Sequence, residues 1–414
     1  MKSPLLTVLA VALFTGCASE PERAPRTLED LFAARNADDL SRANSARHLT
    51  EQLVERAERK AKAAKPGGPR PAIDMLVISG GGDWGAFGAG VLKGWSQVKG
   101  ELARPQFDIV TGVSTGAMIA PFAFIGDDDA VERIVRLYRN PKPDWTASRG
   151  LVFFWPSNPS FFALPGLERE MRESLDRPML ERIAAEGASG RALVVNTTNI
   201  DLGDSHPWDI IAEARAELAG GNPGRVQSIL LASAGIPAVF PAREIGTFLY
   251  VDGAITGNIL YGGRIEEQDS LAVLWRKRNP SAPLPKLRYW VIFNNQFRFP
   301  PQVTAQKWPD IMSRATIMAT QTGTVSAMRH LFARAELMKL KQKVDIEVRV
   351  MAVPDSFVPS VPGTFQNEVM NALADSICRR TRPNSSSLSA ALRTFSSSSR
   401  ITRSTRSWVT PGRR

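Results

Sequence analysis

Twice in close succession the chain runs through an apolar stretch, stops at glycines and resumes as a Gly/Ala-rich apolar segment. The first passage is IDMLVIS (73–79) followed by GGGDWGAFGAG, and the second is FDIVTG (107–112) followed by VSTGAMIAPFAFI. Short runs that are apolar throughout, instead of alternating, belong to strands buried on both faces of a parallel sheet. Each is followed by a helix-like segment, over 85–99 and through AMIAPFAFI. RALVVNTTNI (191–200), SLAVLW (270–275), RYWVIF (288–293) and VDIEVRVMAV (344–353) read as further strands, and helices are predicted over 166–186, 208–219, 225–234 and 308–342. TFQNEVMNALAD closes the series as an amphipathic helix. The alternation predicts an α/β domain over 72–377, with a mostly parallel sheet between two helical layers.

The flanks have a different character. MKSPLLTVLAVALFTGCAS has a positive Lys2, an apolar stretch too short to span a bilayer, and then small residues. Residues 1–16 therefore read as a signal peptide, and FTGC resembles a bacterial lipobox that would leave Cys17 as a lipidated first residue. That places the protein in a bacterial envelope, membrane-anchored and on the Ala18 signal in the outer membrane, or secreted. Residues 17–71 are Ala-, Arg- and Glu-rich with leucines at loose helical spacing, and read as a helical spacer ended by KPGGPRP. From 378 to 414 the chain is Ser/Arg-rich without periodicity, a composition that cannot offset the entropy of ordering, and no function is assigned to it. This tail also explains the charge. It holds nine arginines from 379 onward and no acid, and removing those nine from the net +11 leaves +2. The basicity belongs to a tail and not to a nucleic-acid-binding face. Two cysteines, Cys17 and Cys378, and three histidines support neither a disulfide framework nor a metal centre.

A glycine turn between strand and helix holds negative charge, and GGGDWG (80–85) satisfies the dinucleotide pattern G-x-G-x-x-G. A Rossmann unit also needs an acid at the end of the next strand. That strand ends in Thr111 and Gly112, with Asp108 at its start, so no cofactor is expected. The strand runs instead into GVSTG (112–116), a G-x-S-x-G between strand and helix. The sharp turn leaves no room for side chains beside the serine and exposes Ser114 as a nucleophile. A serine attacking a carbonyl creates an oxyanion, which needs backbone donors already in place. The glycines at 80–82 lie at the same end of the neighbouring strand, so the charge they serve is taken to be that oxyanion. YVDGAITGN (250–258) puts Asp252 in a turn after a short strand, where it is available as a base.

In this order GGGDWG, GVSTG, ASAGIPAVFPA (232–242) and DGA resemble the blocks of the patatin-like phospholipase family, over roughly residues 73–375. The resemblance implies a three-layer patatin-like fold and a lipid acyl hydrolase. It implies a dyad of Ser114 and Asp252 and an oxyanion hole at Gly80, Gly81 and Gly82. It needs no cofactor and no metal, and its partner is a lipid or acyl ester. Where the family usually has Arg or Lys two residues after the third glycine, this chain has Trp84. Two alternatives stay open: an α/β-hydrolase triad of Ser114, Asp252 and His330, and a non-catalytic envelope lipoprotein. Against the triad, His330 sits inside a helical pattern, His206 precedes Asp252, and His48 lies in the spacer. Asp83, Asp201 and Asp204 read as surface turn residues. Trp84 and Phe87 fit an acyl pocket or the core, and the aromatic run LVFFWPSNPSFFALPG (151–166) fits a lid, a lipid-facing loop or an ordinary connection.

Overall fold

The computed structural model describes residues 23–65, 70–150, 158–262, 267–361 and 363–378. The signal peptide, Cys17 and the tail from 379 lie outside them, as do residues 151–157 of the aromatic run.

The domain is built on one mixed sheet, eight-stranded among the described residues. In chain order its strands are β1 (Ala72–Ile78), β2 (Ile109–Val113), β3 (Ala192–Asn199), β4 (Asp204–Asp209), β5 (Arg243–Ile245), β6 (Phe248–Asp252), β7 (Lys286–Phe293) and β8 (Ile346–Ala352). They lie in the order β8-β7-β1-β2-β3-β6-β5, with β4 also on β3. The first five of that order are parallel, and β4, β5 and β6 join antiparallel.

Apolar side chains alternate between the two faces, as the pleat requires. Leu76, Ile78, Val110, Trp290 and Ile292 enter one core. Helices α2 (Gly85–Trp95), α3 (Thr115–Ile125), α4 (Asp128–Arg139), α5 (Pro165–Ser174), α6 (Arg177–Glu186), α7 (Ile210–Leu218), α8 (Arg225–Ser233) and α11 (Asn367–Cys378) supply the rest of that side. Val77, Ile109, Val291 and Phe293 enter a second core with α1 (Leu28–Ala63), α9 (Leu271–Arg278) and α10 (Trp308–Gln342). The result is the three-layer α/β arrangement that the sequence predicts.

Three elements depart from the sequence reading. SLAVLW is not a strand but the start of α9, where only Ala272 and Trp275 are buried. An all-apolar run of this length fits either element. The single helix expected over 166–186 is two, because Asp176 caps a new start through Met179 N–H with Pro178 in its first turn. The segment read as a spacer is one helix, α1, and it packs on the domain. A Thr27/Asp30 capping box starts it. Leu53, Val54 and Ala57 are buried in the second core, and Arg56 and Lys60 reach Asp108 at the start of β2.

Candidate active site

The site forms where two strands meet end to end. β2 runs parallel to β3 up to the pair Val113–Asn196, and β6 runs antiparallel to β3 down to the pair Asp252–Thr197. β4 covers residues 194–199 on the other side of β3, so β2 and β6 must share one edge. Their C-terminal ends therefore converge on adjacent β3 positions. Ser114 comes directly after the first end, and Asp252 is the second.

The local sequence makes the junction passable. Ser114 has φ 54° and ψ −125°, a strained conformation for a residue with a Cβ. A Cβ on Gly112 would collide with the Gly116 carbonyl, and one on Gly116 with the Ile78 carbonyl. Both motif glycines are thus places where backbones touch. Gly253, next to Asp252, fills the same role, since its Cβ would strike the Asn196 carbonyl. The Ser114 N–H donates to Ser233 Oγ at 2.9 Å, and Ser233 Oγ donates to the Asn196 carbonyl at 2.6 Å. The strained turn is thereby tied to β3.

Ser114 Oγ donates to Asp252 Oδ2 at 2.7 Å, and both residues are buried. Asp252 Oδ1 accepts the Ala254 N–H at 2.8 Å. Burial raises the Asp252 carboxyl from the ordinary carboxylate range to about 7, and these two hydrogen bonds only partly offset that. No cation pairs with it among the described residues. A carboxylate with its proton affinity raised to neutrality is a far better base than a solvated one.

The glycine loop lies alongside. A Cβ on Gly80 would come within 2.9 Å of Ser114 Cβ and overlap Asn258 Oδ1, so the loop meets the serine through bare backbone. Gly80 N–H donates to Asn258 Oδ1 at 2.9 Å, and Asn258 Nδ2 donates to Thr324 Oγ1 on α10 at 2.9 Å. Gly81 presses on the Asn294 backbone. Asn294, at the end of β7, holds Ser79 twice, from its N–H to Ser79 Oγ at 2.9 Å and from Nδ2 to the Ser79 carbonyl at 2.8 Å. Gly82 turns at φ 61°, where glycine is favoured. The N–H groups of Gly81 and Gly82 have no hydrogen-bond partner among the described residues.

The structure thus brings Ser114, Asp252 and the three glycines together. It leaves the histidines elsewhere. His330 is an exposed residue of α10 whose Nδ1 meets Tyr261 OH at 2.7 Å, and His206 Nδ1 lies 2.9 Å from Asp38 Oδ1. Asp201 pairs with Arg23 and Asp204 with Arg42. Asp83 is not the surface turn residue expected. It is buried and accepts the Phe365 N–H at 3.0 Å, and burial raises its carboxyl. Phe87 belongs to the core, and Trp84 packs edge-on against Phe357. Sequence reasoning misses Ser233, Asn196, Asn258 and Asn294 as supports. Ser233 and Asn258 lie inside the blocks 232–242 and 250–258, and that is the only signal they give. Among the described residues no group of three or more His, Cys, Asp or Glu side chains is placed to hold a metal ion.

Residues 76–262 match the model of the patatin-like phospholipase family, a span that runs from β1 through both strand ends of the site. The chain therefore carries the domain of a lipid acyl hydrolase. No curated protein sequence matches it. Among solved structures it is similar to VipD from Legionella pneumophila, at 11% identity and a TM-score of 0.32, covering 75% of this chain and 67% of that one.

Proposed function

We propose that the chain cleaves acyl esters of lipids through a Ser114–Asp252 dyad. The observation that carries this reading is the buried 2.7 Å hydrogen bond from Ser114 Oγ to a carboxylate that has no cation beside it among the described residues. Ser114 Oγ attacks the acyl carbonyl carbon as its proton passes to Asp252 Oδ2. The carbonyl oxygen takes up the electron pair and is met by the N–H groups of Gly81 and Gly82. Gly80, whose own N–H is bound by Asn258, contributes close approach to the serine instead of a donor. Collapse of the adduct expels the alcohol, which recovers the proton from Asp252. Water then attacks the acyl-serine, again losing its proton to Asp252, and releases the fatty acid and free Ser114. Trp84 is no obstacle, because backbone donors need no particular side chain.

The substrate of such a reaction is a lipid ester, and the N-terminus suggests its setting: acylation at Cys17 would tether the chain to a bacterial membrane. No nucleic-acid partner is proposed, since the excess positive charge is confined to the tail. Labelling with a fluorophosphonate probe, which modifies activated serines, tests the dyad. The modified peptide should contain Ser114, and Ser114→Ala should abolish both labelling and ester turnover while keeping the fold. Turnover surviving in that variant, or a label mapped to another residue, would overturn the reading.

A further inference from the structure

The two halves of α10 have different surroundings. From Gln321 onward, Gln321, Thr324, Met328, Leu331 and Ala335 are buried against the domain. The turns before them project from it: Trp308 is 61% exposed, Ile311 51%, Met312 59% and Met318 46%. At 3.6 residues per turn the five buried positions mark one side of the helix. Trp308, Ile311, Met312 and Met318, with the exposed Ala315 and Ala319, mark the opposite side. Among the described residues this apolar stripe is left largely exposed. An exposed apolar patch of this kind marks a docking surface.

The charges beside it are mostly positive. Residues 298–319 contain Arg298, Lys307 and Arg314 but a single acid, Asp310. Arg314 stacks over Phe299 next to the stripe. A second copy docking on the same face would bring these cations together, which is unfavourable, whereas anionic headgroups would neutralise them.

The helix that carries the stripe also reaches the surroundings of the site. Trp308 lies 6.5 Å from the ring of Phe161, whose N–H donates to the Ala238 carbonyl in the loop after Ser233. Further along the same helix, Thr324 accepts from Asn258, which holds Gly80.

We propose that the first three turns of α10 dock on an anionic lipid surface, with the apolar stripe in the headgroup boundary and the cations on the lipid phosphates. An apolar face flanked by cations is the usual form of an interfacial helix. The inference rests on the acyl-hydrolase reading and adds to it the surface from which substrate is taken.

The experiment uses the full chain with Cys17→Ser, so that no acyl anchor contributes. Co-sedimentation is measured with phosphatidylcholine vesicles, with and without phosphatidylglycerol, for this parent and for Ile311→Asp combined with Met318→Asp. Both positions are exposed, and circular dichroism checks the fold. The parent should bind the anionic vesicles and the variant should bind them at least about tenfold more weakly. Hydrolysis of vesicle lipid should fall with binding, while turnover of a soluble short-chain ester stays at the parent's level. Equal binding by parent and variant would overturn the proposal. So would a parent dimer, seen by sedimentation velocity, that the substitutions dissolve without changing vesicle binding. If neither protein turns over the soluble ester, the hydrolase reading fails, and sedimentation still decides the docking.

Discussion

The sheet buries aspartates at both of its edges and treats them oppositely. At the N-terminal edge of the parallel strands, Asp108 accepts from Arg56, from Lys60 at 2.6 Å and from the Asp74 N–H at 2.7 Å. Asp74 beside it takes two bonds from Arg288 at 2.7 Å and one from Trp290 Nε1 at 2.8 Å. At the opposite edge Asp252 has a hydroxyl, one backbone N–H and no cation among the described residues. A buried carboxylate bonded to cations on neighbouring elements cements structure. One left unpaired is short of stabilisation and gains by taking a proton. The difference separates a fastening, where α1 is pinned to the sheet, from the carboxylate proposed as the base.

The comparison can be broken from either edge. Replacing Arg56 and Lys60 together by Met leaves the Asp108 charge buried and unpaired. That should cost about 3–5 kcal/mol in denaturant unfolding, with activity per folded molecule unchanged, because the site lies at the far edge. A loss of activity without a loss of stability would mean the two edges are coupled.

The second test uses pH. Folded Asp252 keeps its proton up to about 7, while the unfolded carboxyl releases it near about 4. Between those values the folded state binds more protons, so stability falls as pH rises through the window. Asp252→Asn removes the buried charge. It should melt at higher temperature than the parent at pH 8, with the gap narrowing as pH falls toward 4. In the parent, ester turnover should rise through the same window and level off above about pH 7.

A smaller effect is expected at Ser233→Ala. The buried Ser114 N–H loses its acceptor, which costs about 1–3 kcal/mol. The strained turn should loosen, lowering turnover as well as melting temperature. A variant matching the parent in both would show that the turn is held by packing alone.

The site is more legible in the sequence than its surroundings, for a physical reason. G-x-S-x-G, GGG and Asp-Gly each mark a backbone collision that only glycine avoids, and Gly112, Gly116, Gly81 and Gly253 all meet such collisions. Such constraints are local and survive in a single sequence. The supports are not local. Asn258 serves Gly80 across the fold, and Asn294 serves Ser79 from the end of β7, so neither support role has a local pattern, and Asn258 is marked only by its place in the block 250–258. The fold is legible where strands are buried on both faces. It is misleading at SLAVLW, whose run of apolar residues carries no period, and silent at β4 and at α4. DSHPWD in β4 is polar because the strand is half-exposed, and it forms by pairing with β3. The role of α1 is hidden because its docking depends on Asp108, an acid that stands out in the sequence only as misplaced for a cofactor.

The central claim is that the unpaired carboxylate at the C-terminal edge is the base. The most direct test is the turnover of a soluble short-chain ester by Asp252→Asn, His206→Ala and His330→Ala, measured side by side at matched circular dichroism. Asp252→Asn keeps the shape of the site but cannot take up the serine proton. It should lose at least about a thousandfold in kcat, while both histidine variants keep most of the parent's rate. A His330→Ala variant as inactive as Asp252→Asn would contradict the account and return the site to a Ser-His-Asp triad.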